Sequence, residues 1–111
     1  MKEPIQEKEL KWLGVDFDLV VCNNSKHPEY KPLKPIEGAK EYLDKLTADG
    51  WKIIIYTSRP WHEYDMIENW LNSYQIPFRR IVCGKLFCKW MVDDRAIEFS
   101  GDWEEVFKKI K

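Results

Sequence analysis

A chain of 111 residues has room for one domain around one core, so residues 1–111 are expected to fold as a single unit. Apolar residues make up 44% and charged residues 33%, which suits a soluble globular protein and excludes a chain too polar to build a core. The formal charge of -1 leaves no electrostatic reason for an obligatory nucleic-acid partner or an anionic membrane surface, and no apolar run approaches the roughly 18 residues of a membrane span.

Residues 1–11 are charged and lack the apolar segment of a signal peptide, so a cytoplasmic protein is expected. Three cysteines, Cys22, Cys83 and Cys88, show neither zinc-ligand nor Cys-x-x-Cys spacing. They read as free thiols in a reducing compartment.

Short apolar runs alternate with helical patterns, the signature of βαβ units and a mainly parallel sheet. The first run, Trp12-Leu13-Gly14-Val15, leads into Asp16-Phe17-Asp18. The polar, proline-spaced stretch 23–35 predicts no regular structure, and 19–35 reads as a loop or flap over the end of the first strand. Ala39, Tyr42, Leu43 and Leu46 recur at helical spacing, and Gly50 stands where a helix stops. Residues 52–56, Lys-Ile-Ile-Ile-Tyr, predict a strand buried on both faces. A second helix follows Thr57-Ser58-Arg59-Pro60, with Ile67, Trp70, Leu71 and Tyr74 on one face and Pro77 barring its continuation. Residues 80–83 and 89–92 predict a third and a fourth strand, the latter ending at Asp93-Asp94. The last helix opens at Asp102, an N-cap with Glu105 in the capping-box position, and its apolar face is Trp103, Val106, Phe107 and Ile110.

The informative fact is where the polar residues fall. Asp16 and Asp18 close the first strand, Thr57 and Ser58 the second, and Asp93 and Asp94 the fourth, while Lys85 follows the third. Parallel strands point the same way, so these groups gather at the sheet edge where open α/β sheets bind ligands. Acids and a lysine converging there point to a divalent cation beside an anionic substrate. A carboxylate can attack phosphorus and split one hard displacement into two easier ones. Mg²⁺ on oxygen ligands offsets the repulsion between that nucleophile and a phosphate dianion. A second carboxyl can protonate the leaving group and then deprotonate the incoming water.

The order Asp-x-Asp, strand-end Thr, Lys, paired acids resembles the four motifs of the haloacid dehalogenase-like hydrolases. Gly14-Val15-Asp16-Phe17-Asp18 is similar to motif one, Ile54-Ile55-Tyr56-Thr57-Ser58-Arg59 to motif two, and Gly84-Lys85 to motif three. Val92-Asp93-Asp94-Arg95-Ala96-Ile97 with Gly101-Asp102-Trp103, and Pro35-Ile36-Glu37-Gly38-Ala39 earlier, resemble a compact capless subgroup common in phage and bacterial genomes. The resemblance implies a three-layer, Rossmann-like α/β domain with about four mainly parallel strands, flanking helices and no full cap. It implies Asp16 as nucleophile and Mg²⁺ ligand, and Asp18 as general acid/base that also offers its backbone carbonyl to the metal. Thr57, Ser58 and Lys85 would bind the phosphoryl group, and Asp93 would complete the Mg²⁺ site, with Asp94 a further ligand or a residue that orients the ligands.

Two departures stand out. Leu19-Val20 occupy the places usually held by glycine and then threonine or valine, which predicts a bulkier turn after Asp18 at the expense of a glycine-dependent conformation. Leu86-Phe87 follow Lys85 where proline is usual, which makes Lys89 a rival lysine. Other residues have plainer readings: Asp94 and Arg95 as a surface ion pair, Arg59 as a packing or solvated arginine, and Lys26, His27, Lys31 and Lys34 as a solvated loop.

The function expected is Mg²⁺-dependent phosphomonoester hydrolysis through an aspartyl phosphate. The substrate expected is a small phosphorylated metabolite, a nucleotide or sugar phosphate. An uncapped site admits a bulky substrate, or a small one closed off by a second subunit of a homo-oligomer. The alternative is a non-catalytic Mg²⁺ or phosphoryl-binding module. A receiver-type domain fits less well, because receivers place their paired acids early and their lysine late.

Overall fold

A computed structural model describes residues 10–24 and 31–110, so the readings of Lys26 and His27 lie outside the described residues. Strand β1 (Trp12–Asp16) pairs in parallel with β4 (Lys52–Tyr56), and β4 with β5 (Arg80–Val82), in the order β1-β4-β5. Two short strands, β2 (Cys22–Asn24) and β3 (Pro32–Pro35), form an antiparallel ribbon between β1 and helix α1 (Ala39–Ala48). The flap expected to be irregular is therefore partly regular: its two arms pair with each other, and Pro32 and Pro35 sit where a two-stranded edge tolerates them.

Helix α1 joins β1 to β4, and α2 (Tyr64–Ser73), entered through a 3₁₀ turn at Trp61–Glu63, joins β4 to β5. Both crossovers step the same way across the sheet, so right-handed connections lay α1 and α2 on one face. Helix α3 (Trp103–Ile110) packs against α1.

Burial follows that placement. Leu43, Leu46, Ile67, Leu71 and Trp103 from the helices meet Val15, Ile53, Ile55 and Ile81 from the strands in one core. The strand β4, expected to be buried on both faces, instead alternates: Ile53 and Ile55 are buried, Ile54 is half-buried, and Lys52 and Tyr56 are exposed. Among the described residues, α1 and α2 thus lie over the sheet face that carries Ile53 and Ile55. On the open face Trp12 lies under the ammonium of Lys52, 4.8 Å from its ring centroid, so this tryptophan is a half-covered surface residue.

Helix ends follow local chemistry. After α1, Gly50 takes φ +96° and its N–H donates to Thr47 O at 3.0 Å, while Trp51 N–H donates to Leu46 O at 3.0 Å. After α2 the same pair of bonds forms, Gln75 N–H to Asn72 O and Ile76 N–H to Leu71 O, with Gln75 at φ +56°. At α3 the side chain of Asp102 accepts from Glu104 N–H at 2.9 Å, as a capping residue should. Glu105 does not complete the capping box; it accepts from Ser100 Oγ at 2.6 Å.

The largest departure lies between β5 and α3. Residues 89–92, expected as a fourth strand, are irregular, with Trp90 80% exposed and Val92 fully exposed. The apolar sequence pattern there is that of a strand. Among the described residues it pairs with no strand, although the outer edge of β1 is unpaired in the three-stranded sheet.

Candidate active site

The parallel register aligns Asp16 with Tyr56, and Tyr56 with Val82. The residues that follow, Asp18, Ser58 and Lys85, therefore emerge at one sheet edge, around the carboxyl ends of the strands. Two backbone bonds tie the loops together there: Lys85 N–H donates to Thr57 O at 2.8 Å and Gly84 N–H to Arg59 O at 2.9 Å. This stitching carries Lys85 across to β1, and its Nζ stands 3.6 Å from Asp16 Oδ2. Of the two rival lysines, Lys85 is the one paired with Asp16.

Asp16 is half-buried, and burial pushes its carboxyl above the usual carboxylate value of 3.8. The Lys85 charge opposes that rise without cancelling it, and the neighbouring Asp18 adds to it. Partial desolvation makes a carboxylate a stronger nucleophile, the Lys85 ammonium tempers that gain, and the same ammonium could hold a phosphoryl oxygen.

Asp16, Asp18, Ser58, Lys85 and Lys89 line a cavity of about 360 Å³, whose outer wall includes Leu86 and Phe87. A second cavity of about 300 Å³ runs along β1, with Asp16, Lys85 and Asp93 among its lining residues. Thr57 lines neither. It is fully buried, its N–H extends the β4–β5 pairing by donating to Val82 O at 2.9 Å, and its Oγ1 accepts from Arg59 N–H at 3.1 Å. Ser58 is the hydroxyl-bearing residue that lines the first cavity, and Thr57 shapes the turn beside it.

Of the paired acids, Asp93 lines the second cavity with Asp16 and Lys85, whereas Asp94 lines neither. Both are exposed; Asp93 accepts from Arg95 N–H at 2.8 Å in a local turn, and Asp94 pairs with Arg95 Nε at 3.6 Å. The surface ion pair is thus formed by Asp94 and Arg95. Among the described residues no three acidic, histidine or cysteine side chains come together as a metal-holding group. Asp16 offers a suitable oxygen donor and the expected Asp18 donor is its backbone carbonyl, while both Asp18 carboxylate oxygens are engaged by Arg59. As arranged, these residues do not fit a Mg²⁺ site.

Residue Leu19 corrects another expectation. It keeps the left-handed conformation that glycine would adopt without strain, at φ +64°. The turn is closed by Leu19 N–H donating to Cys22 O at 2.8 Å, and by Val21 and Cys22 N–H both donating to Phe17 O. The bulky side chain points outward and is 62% exposed, which is how the turn accepts it.

No protein-family model and no curated protein matches this chain. Two solved structures resemble it. A crystal structure from Vibrio cholerae superposes with a TM-score of 0.67 at 25% identity, covering 92% of this chain and 100% of that one. A conserved protein from Bacteroides thetaiotaomicron gives 0.64 at 21% identity, covering 89% and 88%. The likeness is one of fold. The chain is a small Rossmann-like α/β protein whose described residues form a parallel three-stranded sheet, a two-stranded ribbon and three α-helices.

Two residues in this site were not legible as such. Arg59, read as packing or solvated, reaches across to Asp18, and Glu63, four residues on, accepts from Arg59 Nη1 at 2.8 Å. Burial works against the Arg59 charge, yet its hydrogen bonds to Asp18 and Glu63 outweigh that and strengthen its hold on the proton. The available signal was positional: an arginine directly after the strand-end Thr-Ser, with an acid at the i+4 spacing that brings side chains together.

Proposed function

We propose that this chain is a phosphomonoester hydrolase acting through an aspartyl phosphate, with a small phosphorylated metabolite as substrate. The observation that carries the reading is the Lys85–Asp16 pair, an ammonium 3.6 Å from a half-buried carboxylate at the carboxyl ends of parallel strands. In the first step an Asp16 oxygen attacks phosphorus, the P–O bond to the leaving group breaks, and a proton from Asp18 goes to the departing oxygen. In the second, water gives its proton to the Asp18 carboxylate and attacks the aspartyl phosphate, releasing Asp16 and inorganic phosphate. Lys85 and Ser58 hold the phosphoryl oxygens, and Thr57 keeps the turn that presents Ser58.

The finer classification, a capless haloacid dehalogenase-like domain with a fourth strand beside β1, belongs to the same proposal. Its support is the unpaired outer edge of β1 and the cavity along it, which Gly14, Val15, Met91 and Asp93 line together. A Mg²⁺ requirement, with the carboxylates of Asp16 and Asp93, the backbone carbonyl of Asp18, and Asp94 as a further ligand or an orienter, is proposed on residue type alone. Asp94, exposed and paired with Arg95 apart from Asp16, does not support it, and no step above runs through the metal. That separation favours a second reading, a phosphoryl-binding module without turnover.

Hydrolysis of an aryl phosphate, with and without Mg²⁺, by the wild type and Asp16→Asn is the test. Turnover lost in the variant supports the hydrolase. Folded wild type that binds inorganic phosphate without any turnover refutes it in favour of the binding module.

A further inference from the structure

The guanidinium of Arg59 is the most heavily engaged polar group at the strand ends. Its Nε donates to both Asp18 oxygens, at 3.0 and 3.1 Å, and its Nη2 donates to Oδ1 at 2.8 Å. On the far side Nη1 donates to Glu63. The Arg59 side chain is 11% exposed, and its guanidinium carbon lies 5.9 Å from the Phe17 ring centroid.

We propose that Arg59 is the positioning residue of this site, setting the direction of the Asp18 carboxylate; the inference rests on the hydrolase reading above. An exposed ion pair holds little, because two long side chains lose freedom to make one bond in water. This pair differs in three respects. The fork grips two oxygens at once, which fixes the plane of the carboxylate as well as its distance. The guanidinium is anchored by Glu63 from the 3₁₀ turn that opens α2, a regular element. The Arg59 backbone is fastened too, its N–H to Thr57 Oγ1 and its carbonyl to Gly84 N–H. A carboxyl that must meet the leaving oxygen in one step and a water in the next gains from a fixed direction, since misplacement of a reacting group is costly. Lysine in place of arginine keeps the charge and loses the fork.

The test compares Arg59→Lys and Arg59→Ala with the wild type on an aryl phosphate. With Lys, kcat is expected to fall about tenfold to a hundredfold, while KM stays within about twofold. Added methylguanidinium is expected to restore part of the kcat of Arg59→Ala, which a tie that merely stabilises the fold would not show. Unchanged kcat in folded Arg59→Lys, or a rise in KM alone, overturns the proposal. The grip is read independently from the Arg59 Nε–H resonance, expected to exchange slowly with water in the wild type and rapidly in Asp18→Asn. Rapid exchange in the wild type overturns the positioning role whatever the turnover. Absent turnover with a slowly exchanging resonance and a firm Asp18 contact overturns the hydrolase reading instead, and with it the need for a positioned Asp18.

Discussion

Replacing Leu19 by glycine and, separately, by alanine isolates the strain in the turn that follows Asp18. Leu19 sits at φ +64°, a region that costs an L-residue about 1–2 kcal/mol and glycine nothing. Its side chain is 62% exposed, so either truncation forfeits only about 0.6–1 kcal/mol of apolar burial, and forfeits it equally. Glycine alone relieves the strain, and glycine alone adds about 0.5–1 kcal/mol of chain entropy to the unfolded state. The difference leaves Leu19→Gly more stable than Leu19→Ala by about 0.5–1 kcal/mol, whereas at an ordinary position glycine is the weaker of the two by a similar amount. Urea unfolding followed by far-ultraviolet circular dichroism measures both, and unchanged slopes would show that the unfolded states are comparable. In thermal melts the separation is about 2–5 °C. A glycine variant less stable than the alanine variant would refute the reasoning, since it would mean that the turn does not hold position 19 in the left-handed region.

Gly38 poses the converse case: at φ +86° with a new Cβ only 3.2 Å from Trp103 Cβ, Gly38→Ala should destabilise by about 1–3 kcal/mol in the same urea assay. Asp16 is held with its carboxyl raised, so the folded chain binds more protons than the unfolded one as pH rises past 3.8, and stability is lost across that window. Asp16→Asn should therefore be more stable than the wild type near neutral pH, with the gap closing in acid; a variant less stable at neutral pH would show that the Lys85 contact outweighs burial. Burial pushes the Cys22 thiol up to about 12 and raises Cys83 as well, whereas Cys88 is exposed. Iodoacetamide at mildly alkaline pH should label Cys88 alone in the native chain and all three cysteines in urea, a pattern that mass spectrometry reads directly.

Local order was legible in the sequence because its causes are local. The strand over 52–56, the helix faces of Ala39, Leu43 and Leu46 and of Ile67 and Leu71, the stop at Gly50 and the Asp102 cap all follow from side-chain period and backbone preference over a few residues. So does the gathering of Asp16, Asp18, Ser58 and Lys85, since strand direction and chain order suffice to bring strand ends to one edge. Gln75 was less legible: it takes the left-handed position that ends α2 without being glycine, because the two closing backbone bonds outweigh its strain.

Contacts between distant segments were decided only in three dimensions. Whether 89–92 becomes a strand depends on a partner edge, and the apolar pattern that predicts a strand is the same with the partner or without it. One-sided burial of β4 depends on which way both crossovers turn, a property of the sheet order that Ile53, Ile54 and Ile55 cannot encode by themselves. Asp18 and Arg59 lie 41 residues apart, and a carboxylate and a guanidinium carry no mark of their partner until β1 and the turn after β4 are side by side. The sequence by itself determined the three helices, the strands of the parallel sheet and the edge where their polar ends meet. The tertiary structure decided which of those polar groups touch, because hydrogen bonds and ion pairs act over a few ångströms and that proximity is set by packing.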